Sequence, residues 1–259
     1  IDFNQVKLYV GNYDFWYESS KMMQALMKDQ KKRRDDKIKE LRDFIQRFSA
    51  NKSKAKQATS RRKLLDQLTI EQMPASSRRY PWVHFNPDRE AGKDILKVEN
   101  LSYSQDGVQL LKDVSFLVTR GQKIAIVGSN EQAQTALFKI LNEELTPDSG
   151  SFKWGVTIST SYFPKDNGPY FDGCPLNMID WFAQYCPDML ESDKRDLLGR
   201  MLFRGDDVYK MVNVLSGGEK VRCMLSRMML SGANFLMLDQ PTNHLDLESI
   251  TAVNNALIN

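Results

Sequence analysis

The first chemistry legible in this chain lies in eight residues that follow a short apolar run, Gly128-Ser129-Asn130-Glu131-Gln132-Ala133-Gln134-Thr135. A strand, a glycine and then a helix is the architecture of a phosphate-binding loop. Its pattern, G-x-x-x-x-G-K-[ST], uses glycines for tight backbone and a lysine for the phosphates. Gly128 and Thr135 are in register, but Ala133 stands at the second glycine and Gln134 at the lysine. Two later segments complete the picture. Leu215-Ser216-Gly217-Gly218-Glu219-Lys220 precedes a helical stripe of Val221, Leu225 and Met228. Asn234 to Asp246 runs an apolar strand into Asp239-Gln240-Pro241-Thr242-Asn243-His244-Leu245-Asp246.

The elements that must position these residues read as alternating strands and helices. Ile124-Ala125-Ile126-Val127 is expected as a buried strand ending at Gly128, followed by a helix with Leu137, Ile140 and Leu141 on one face. Phe235 to Leu238 is expected as a second buried strand ending at Asp239, with further strands at Ile95–Val98 and Val114–Val118. Apolar strands followed by helices indicate an α/β fold with a parallel sheet covered on both faces. Before it, Pro74, Ser76, Ser77 and Pro81 mark a connector, and Trp82-Val83-His84-Phe85 reads as a short strand.

A length of 259 residues, 41% hydrophobic and 27% charged, suits one large or two small globular domains. No apolar run reaches the length of about 18 residues that spans a bilayer, and residues Ile1-Asp2-Phe3-Asn4 carry no secretory pattern. Cys174, Cys186 and Cys223 form no CxxC pair, which suits reduced thiols in the cytoplasm. His84 and His244 stand apart from other ligand-type residues, so a His/Cys metal site is not expected.

The formal net charge of +3 averages two unlike regions. Residues 21–64 hold 16 Lys/Arg against 5 Asp/Glu, whereas the remainder is net negative by 8. Ile38, Leu41, Ile45 and Phe48 form an amphipathic stripe, small polar residues cluster at 48–53, and Leu64, Leu65 and Leu68 give a second apolar face. Two helices joined by a basic turn are expected, packed as an antiparallel pair. Lys52, Lys54, Lys56, Arg61, Arg62 and Lys63 sit at or near the turn. Such a run is either a solvated helix face or a nucleic-acid contact. Ser49, Asn51, Ser53, Gln57, Thr59 and Ser60 add hydrogen-bonding groups, a mixture that contacts phosphate and ribose without reading bases.

Leu215 to Lys220 resembles the signature sequence of ATP-binding cassette (ABC) proteins, and Asn234 to Asp246 resembles their Walker B strand and D-loop. All three segments stand in that family's order, which implies a P-loop NTPase fold. The Asn243-His244-Leu245-Asp246 ending resembles the ABC-F class, whose members carry two cassettes joined by a long basic helical hairpin and act on ribosomes. The stretch from Phe48 to Arg62 is similar to the YbiT-type branch of that class, and Leu8 to Tyr13 resembles the end of a first cassette. The resemblance implies a first-cassette tail at 1–14, a hairpin linker at 15–72, a connector at 73–94, and a second cassette at 95–259 that stops before the switch histidine. It further implies ATP and Mg²⁺ as cofactors. The implied partners are the first cassette of the same chain and tRNA or ribosomal RNA at the hairpin, with no membrane.

The resemblance also assigns nucleotide contacts to Gly128, Asn130, Ala133, Gln134, Thr135, Ala136, Asp239, Lys165 and Gln105. Several of these depart from the family. Gln105 falls where an adenine-stacking aromatic is expected, unless Tyr103 takes its place. Gln134 removes a cation whose charged hydrogen bonds are worth about 1.5–3 kcal/mol. Glu131 adds a carboxylate whose repulsion of phosphate would reach about 4 kcal/mol at 4 Å with an effective dielectric of 20. Lys165 replaces the Q-loop glutamine and would restore part of the missing charge. Gln240 stands at the general base, and losing such a base typically costs about 10²–10⁴-fold in rate.

Thr135 and Asp239 remain as Mg²⁺-side contacts. A deliberate Glu-to-Gln replacement would explain Gln240, but not Gln105, Glu131, Ala133, Gln134 or Lys165. The expectation is a degenerate site in this half, with hydrolysis through the first cassette. Ser216, Gly217, Gly218 and Glu219 would act on that cassette's ATP, with backbone N–H donors at a helix N-terminus. The alternatives are a nucleotide-independent ribosome-interaction scaffold and the ATP-binding subunit of an ABC transporter.

Overall fold

The computed structural model describes residues 8–48, 55–70 and 78–258, and the chain divides into two compact units, 1–78 and 79–259. In the first unit, the apolar stripe lies on one helix, α1 (Tyr13–Phe48), where Leu41 is buried. Asn12 caps its start by accepting from the Phe15 N–H at 3.0 Å. A second helix, α2 (Ala55–Ile70), packs beside α1, and the Arg61 guanidinium lies 3.6 Å from the Phe44 ring centroid. That geometry is a cation–π contact.

In the second unit, β1 (Asp94–Gln105) and β2 (Val108–Thr119) form a hairpin, with Gln105 opposite Val108. The two-residue turn is Asp106-Gly107, with φ of 51° and 79°. Positive φ at both positions matches the twist of the flanking strands, which is why Asp-Gly is favoured there. The strand β3 (Ser149–Trp154) pairs with the other edge of β1, also antiparallel. The helix α3 (Glu131–Leu141) buries Leu137, Ile140 and Leu141 in one core with Ile95, Leu96 and Val98.

Two short strands, β4 (Thr160–Phe163) and β5 (Phe235–Leu238), pair in parallel, Tyr162 opposite Met237. Alternation along them divides the interior. Tyr162 and Met237 join the core of α3, whereas Phe163, Leu236 and Leu238 join a second core. That second core is built by α4 (Gly168–Phe171), α5 (Met178–Ala183), α6 (Glu191–Arg200), α7 (Gly217–Leu230) and α8 (Leu247–Ile258). Trp181 sits within it, stacked on Phe171 at 5.0 Å and edge-on to Phe182 at 5.0 Å. Its indole N–H donates to the Tyr170 carbonyl at 3.0 Å.

Three sequence expectations are corrected. Parallel pairing is confined to β4 and β5 among the described residues, because the Asp106-Gly107 turn makes β1 and β2 antiparallel neighbours. Ile124 to Val127 is not a buried strand: Ile124, Ile126 and Val127 are 55%, 38% and 88% exposed. A strand needs a hydrogen-bonded neighbour, and none pairs with this segment among the described residues. Trp82 to Phe85 also lies outside any sheet. It is held instead by a bond from the Trp82 N–H to the Arg200 carbonyl at 3.0 Å and by burial of Val83.

Candidate nucleotide site

Asn130 sets the start of α3, its side chain accepting from the Ala133 N–H at 3.2 Å. One of the free N–H groups that a helix N-terminus would present to a phosphate is thereby already used. Gln134 folds back to donate from Nε2 to the Gly128 carbonyl at 3.2 Å, closing the loop on itself. Ala136 turns its side chain into the core. Thr135 points the other way, and its hydroxyl donates to Asp239 Oδ2 at 2.6 Å. Asp239, 2% exposed at the end of β5, is therefore a buried carboxylate with a partner.

Glu131 and Lys165, read separately in the sequence, are paired with each other in the structure. Lys165 Nζ lies 2.5 Å from Glu131 Oε2, so the carboxylate expected to repel phosphate is neutralised within the protein. The lysine expected to replace the missing cation spends its charge on that carboxylate. Gln240 also hydrogen-bonds to Glu131, and the bonds from Lys165 and Gln240 together hold its carboxyl below the ordinary range. The same pairing raises the Lys165 ammonium. Gln240 has a φ of 51° and accepts from Asn243 Nδ2 at 2.8 Å. Left-handed backbone at a residue other than glycine is costly and clusters at functional sites. Gln105 is not drawn into this cluster; it ends β1 at the hairpin turn and is exposed.

Ser216 and Glu219 form a reciprocal cap at the start of α7. Glu219 Oε2 accepts from the Ser216 N–H and hydroxyl, each at 2.8 Å, and Ser216 Oγ accepts from the Glu219 N–H at 3.4 Å. Partial burial pushes the Glu219 carboxyl up, but the Ser216 donors and Lys210, 3.6 Å away, outweigh it and leave it lowered. Ser216 and Gly217 remain exposed.

Along the sequence no ligand-type residue outside the D-loop neighbours His244, and nothing there assigns it a role. In the fold it lies against the signature glycines. A Cβ at Gly217 would sit 3.2 Å from His244 Cγ, and one at Gly218 would sit 3.0 Å from the His244 carbonyl oxygen. The two glycines thus permit the close approach of the loop after β5. Of the basic residues, Lys56, Arg61, Arg62 and Lys63 are exposed on α2, while Lys52 and Lys54 lie outside the described residues. No group of three or more His, Cys, Asp or Glu poised for a metal occurs among the described residues. No helix among them is long and apolar enough to cross a membrane.

Two family models, both described as ABC transporter, match residues 1–85 and 182–243. The ABC transporter ATP-binding protein YkpA of Bacillus subtilis (strain 168) is 60% identical over all 259 residues. The chain belongs to the ABC family. YbiT of Escherichia coli O157:H7 is 37% identical over 99% of the chain. The chain spans about half the length of the curated relatives it matches, 48% of both YkpA and YbiT. A solved metal-chelate type ABC transporter in an inward-facing conformation shares the fold, with a TM-score of 0.51 and 20% identity over 64% of this chain and 68% of its own. In this ABC chain both helix starts are capped from within, α3 by Asn130 and α7 by the Ser216–Glu219 pair, and Glu131 at the first is further paired with Lys165.

Proposed function

We propose that the chain is the linker and second-cassette portion of an ABC-F protein that couples ATP binding and hydrolysis to ribosome and tRNA engagement. In this reading its own nucleotide site is degenerate, and its signature segment serves the ATP held by a first cassette. The observation that carries the reading is the start of α3, where Gln134 at the lysine position is bonded to the Gly128 carbonyl and Lys165 is paired with Glu131. At α3, Asn130, Gln134, Glu131 and Lys165 have their hydrogen-bonding groups engaged within the protein. At α7 Ser216 and Glu219 cap each other, and Ser216 and Gly217 stay exposed. The Thr135 hydroxyl and Asp239 carboxylate fit a Mg²⁺ ion as two oxygen donors, and phosphate and water would complete its octahedral shell. That ion would supply charge neutralisation for a bound nucleotide.

The basic residues of α1 and α2 support an RNA partner, because the positive charge is concentrated there against an acidic remainder. Co-sedimentation of the full-length protein with ribosomes across a salt series tests this. Binding is expected to fall steeply with salt, and reversal of Lys54, Lys56 and Arg61 to glutamate is expected to lower the log–log slope by about 2 to 3. Binding that the triple reversal leaves unchanged contradicts the proposal. The name of YkpA favours a second reading, the ATP-binding subunit of a transporter, which predicts recovery with a membrane complex instead of ribosomes.

A further inference from the structure

Gly217 and Gly218 open α7, where glycine weakens a helix relative to alanine. Neither has a positive φ, so backbone conformation does not require glycine at either position. What crowds both Cβ positions is a single residue. The three atoms nearest a Cβ at Gly217 all belong to His244: Cγ at 3.2 Å, Cβ at 3.3 Å and Nδ1 at 3.4 Å. At Gly218 the neighbour is the His244 carbonyl oxygen, 3.0 Å from the Cβ position.

His244 is itself held in an unusual backbone conformation. Its φ is 64°, which costs an L-residue free energy and persists only where the surroundings fix it. They fix it on both sides. Before it, Asn243 donates its N–H to the Gln240 carbonyl at 3.2 Å and its Nδ2 to Gln240 Oε1 at 2.8 Å. After it, the Leu245 N–H donates to the Thr242 carbonyl at 3.2 Å, and Leu245 packs against the second core. Asp246 then caps α8 by accepting from the Ser249 N–H at 2.8 Å. The imidazole hydrogen-bonds to no protein group among the described residues, so its ring meets Gly217 as bulk.

We propose that His244 is a positioning residue for the signature segment. Its ring against Gly217 and its carbonyl against Gly218 set where the Ser216 hydroxyl and the first turn of α7 stand. The proposal rests on the reading that this segment serves ATP held by a first cassette. In that reading the segment reaches the nucleotide when the two cassettes meet around it. Its misplacement then lowers kcat and leaves KM for ATP, a property of the first cassette, unchanged.

Steady-state ATPase kinetics of the full-length protein test it. Glycine adopts a φ of 64° without strain, so His244→Gly should keep the parent's thermal midpoint. Its kcat should nonetheless fall about tenfold or more, the effect of a small misplacement. His244→Phe, which keeps a ring at that place, should recover most of the rate. Gly217→Ala sets a methyl against the ring and should also lower kcat. The double variant Gly217→Ala/His244→Gly should fall no further than the worse single one, because both changes break one contact. A parental kcat in His244→Gly, a His244→Phe variant as slow as His244→Gly, or losses that multiply in the double variant would each overturn the proposal. A parental rate in Gly218→Asp would instead contradict the reading of the signature segment.

Discussion

Glu131 ties three features of the loop to one carboxylate. Its carboxyl is depressed by Lys165 and then by Gln240, so the folded value lies under the reference of 4.5. A depressed carboxyl contributes stability above the unfolded value and loses it as pH falls through the folded one. A carbon-13 titration of Glu131 is therefore expected to show a midpoint below 4.5, shifting upward in Lys165→Met. An unshifted midpoint would show that the pair does not persist in solution. The same geometry predicts that Glu131→Gln frees Lys165 for phosphate. MgATP binding should tighten about tenfold or more, the worth of a charged hydrogen bond. A titration with no gain would mean that the pair is not what limits affinity.

At the scale of elements, α7 depends on its cap and the β1–β2 hairpin on its turn. Ser216→Ala removes the side-chain half of the reciprocal cap and should cost about 1 kcal/mol in chemical denaturation. Gly107 has φ of 79° and open space where a Cβ would stand, so Gly107→Ala tests backbone strain alone, again about 1 kcal/mol. A neutral result at either position would remove the stated cause.

These elements are unequally legible in the sequence. The helices α3 and α7 and the strand β5 follow from apolar periodicity, and the link between Thr135 and Asp239 follows from a loop in register with a strand end. The ion pair of Glu131 with Lys165 joins residues 34 apart, and no local pattern announces it. The close approach of His244 to Gly217 likewise depends on tertiary packing. Asp106-Gly107 is a turn signal in plain view, and it places Gln105 at a hairpin end. Ile124 to Val127 misleads because apolar content marks a strand only when a neighbour completes its hydrogen bonds.

Taken as a whole, the molecule separates two kinds of electrostatics. Its basic residues concentrate in 21–64, while the cassette that follows is acidic and holds cations in local pairs such as Lys165 with Glu131 and Lys220 with Asp172. Net charge hides this division, because long-range attraction to a polyanion depends on where the charge lies. In the proposed reading, the loop with Gln134 at its lysine position and Lys165 paired to Glu131 offers a nucleotide less than the signature segment does. The most direct test is the ATPase rate of the full-length protein carrying either Thr135→Ala or Gly218→Asp. Thr135→Ala is expected to leave the rate nearly unchanged, while Gly218→Asp, which sets a carboxylate at the signature, is expected to abolish most of it. A rate lost with Thr135→Ala and retained with Gly218→Asp would contradict that reading.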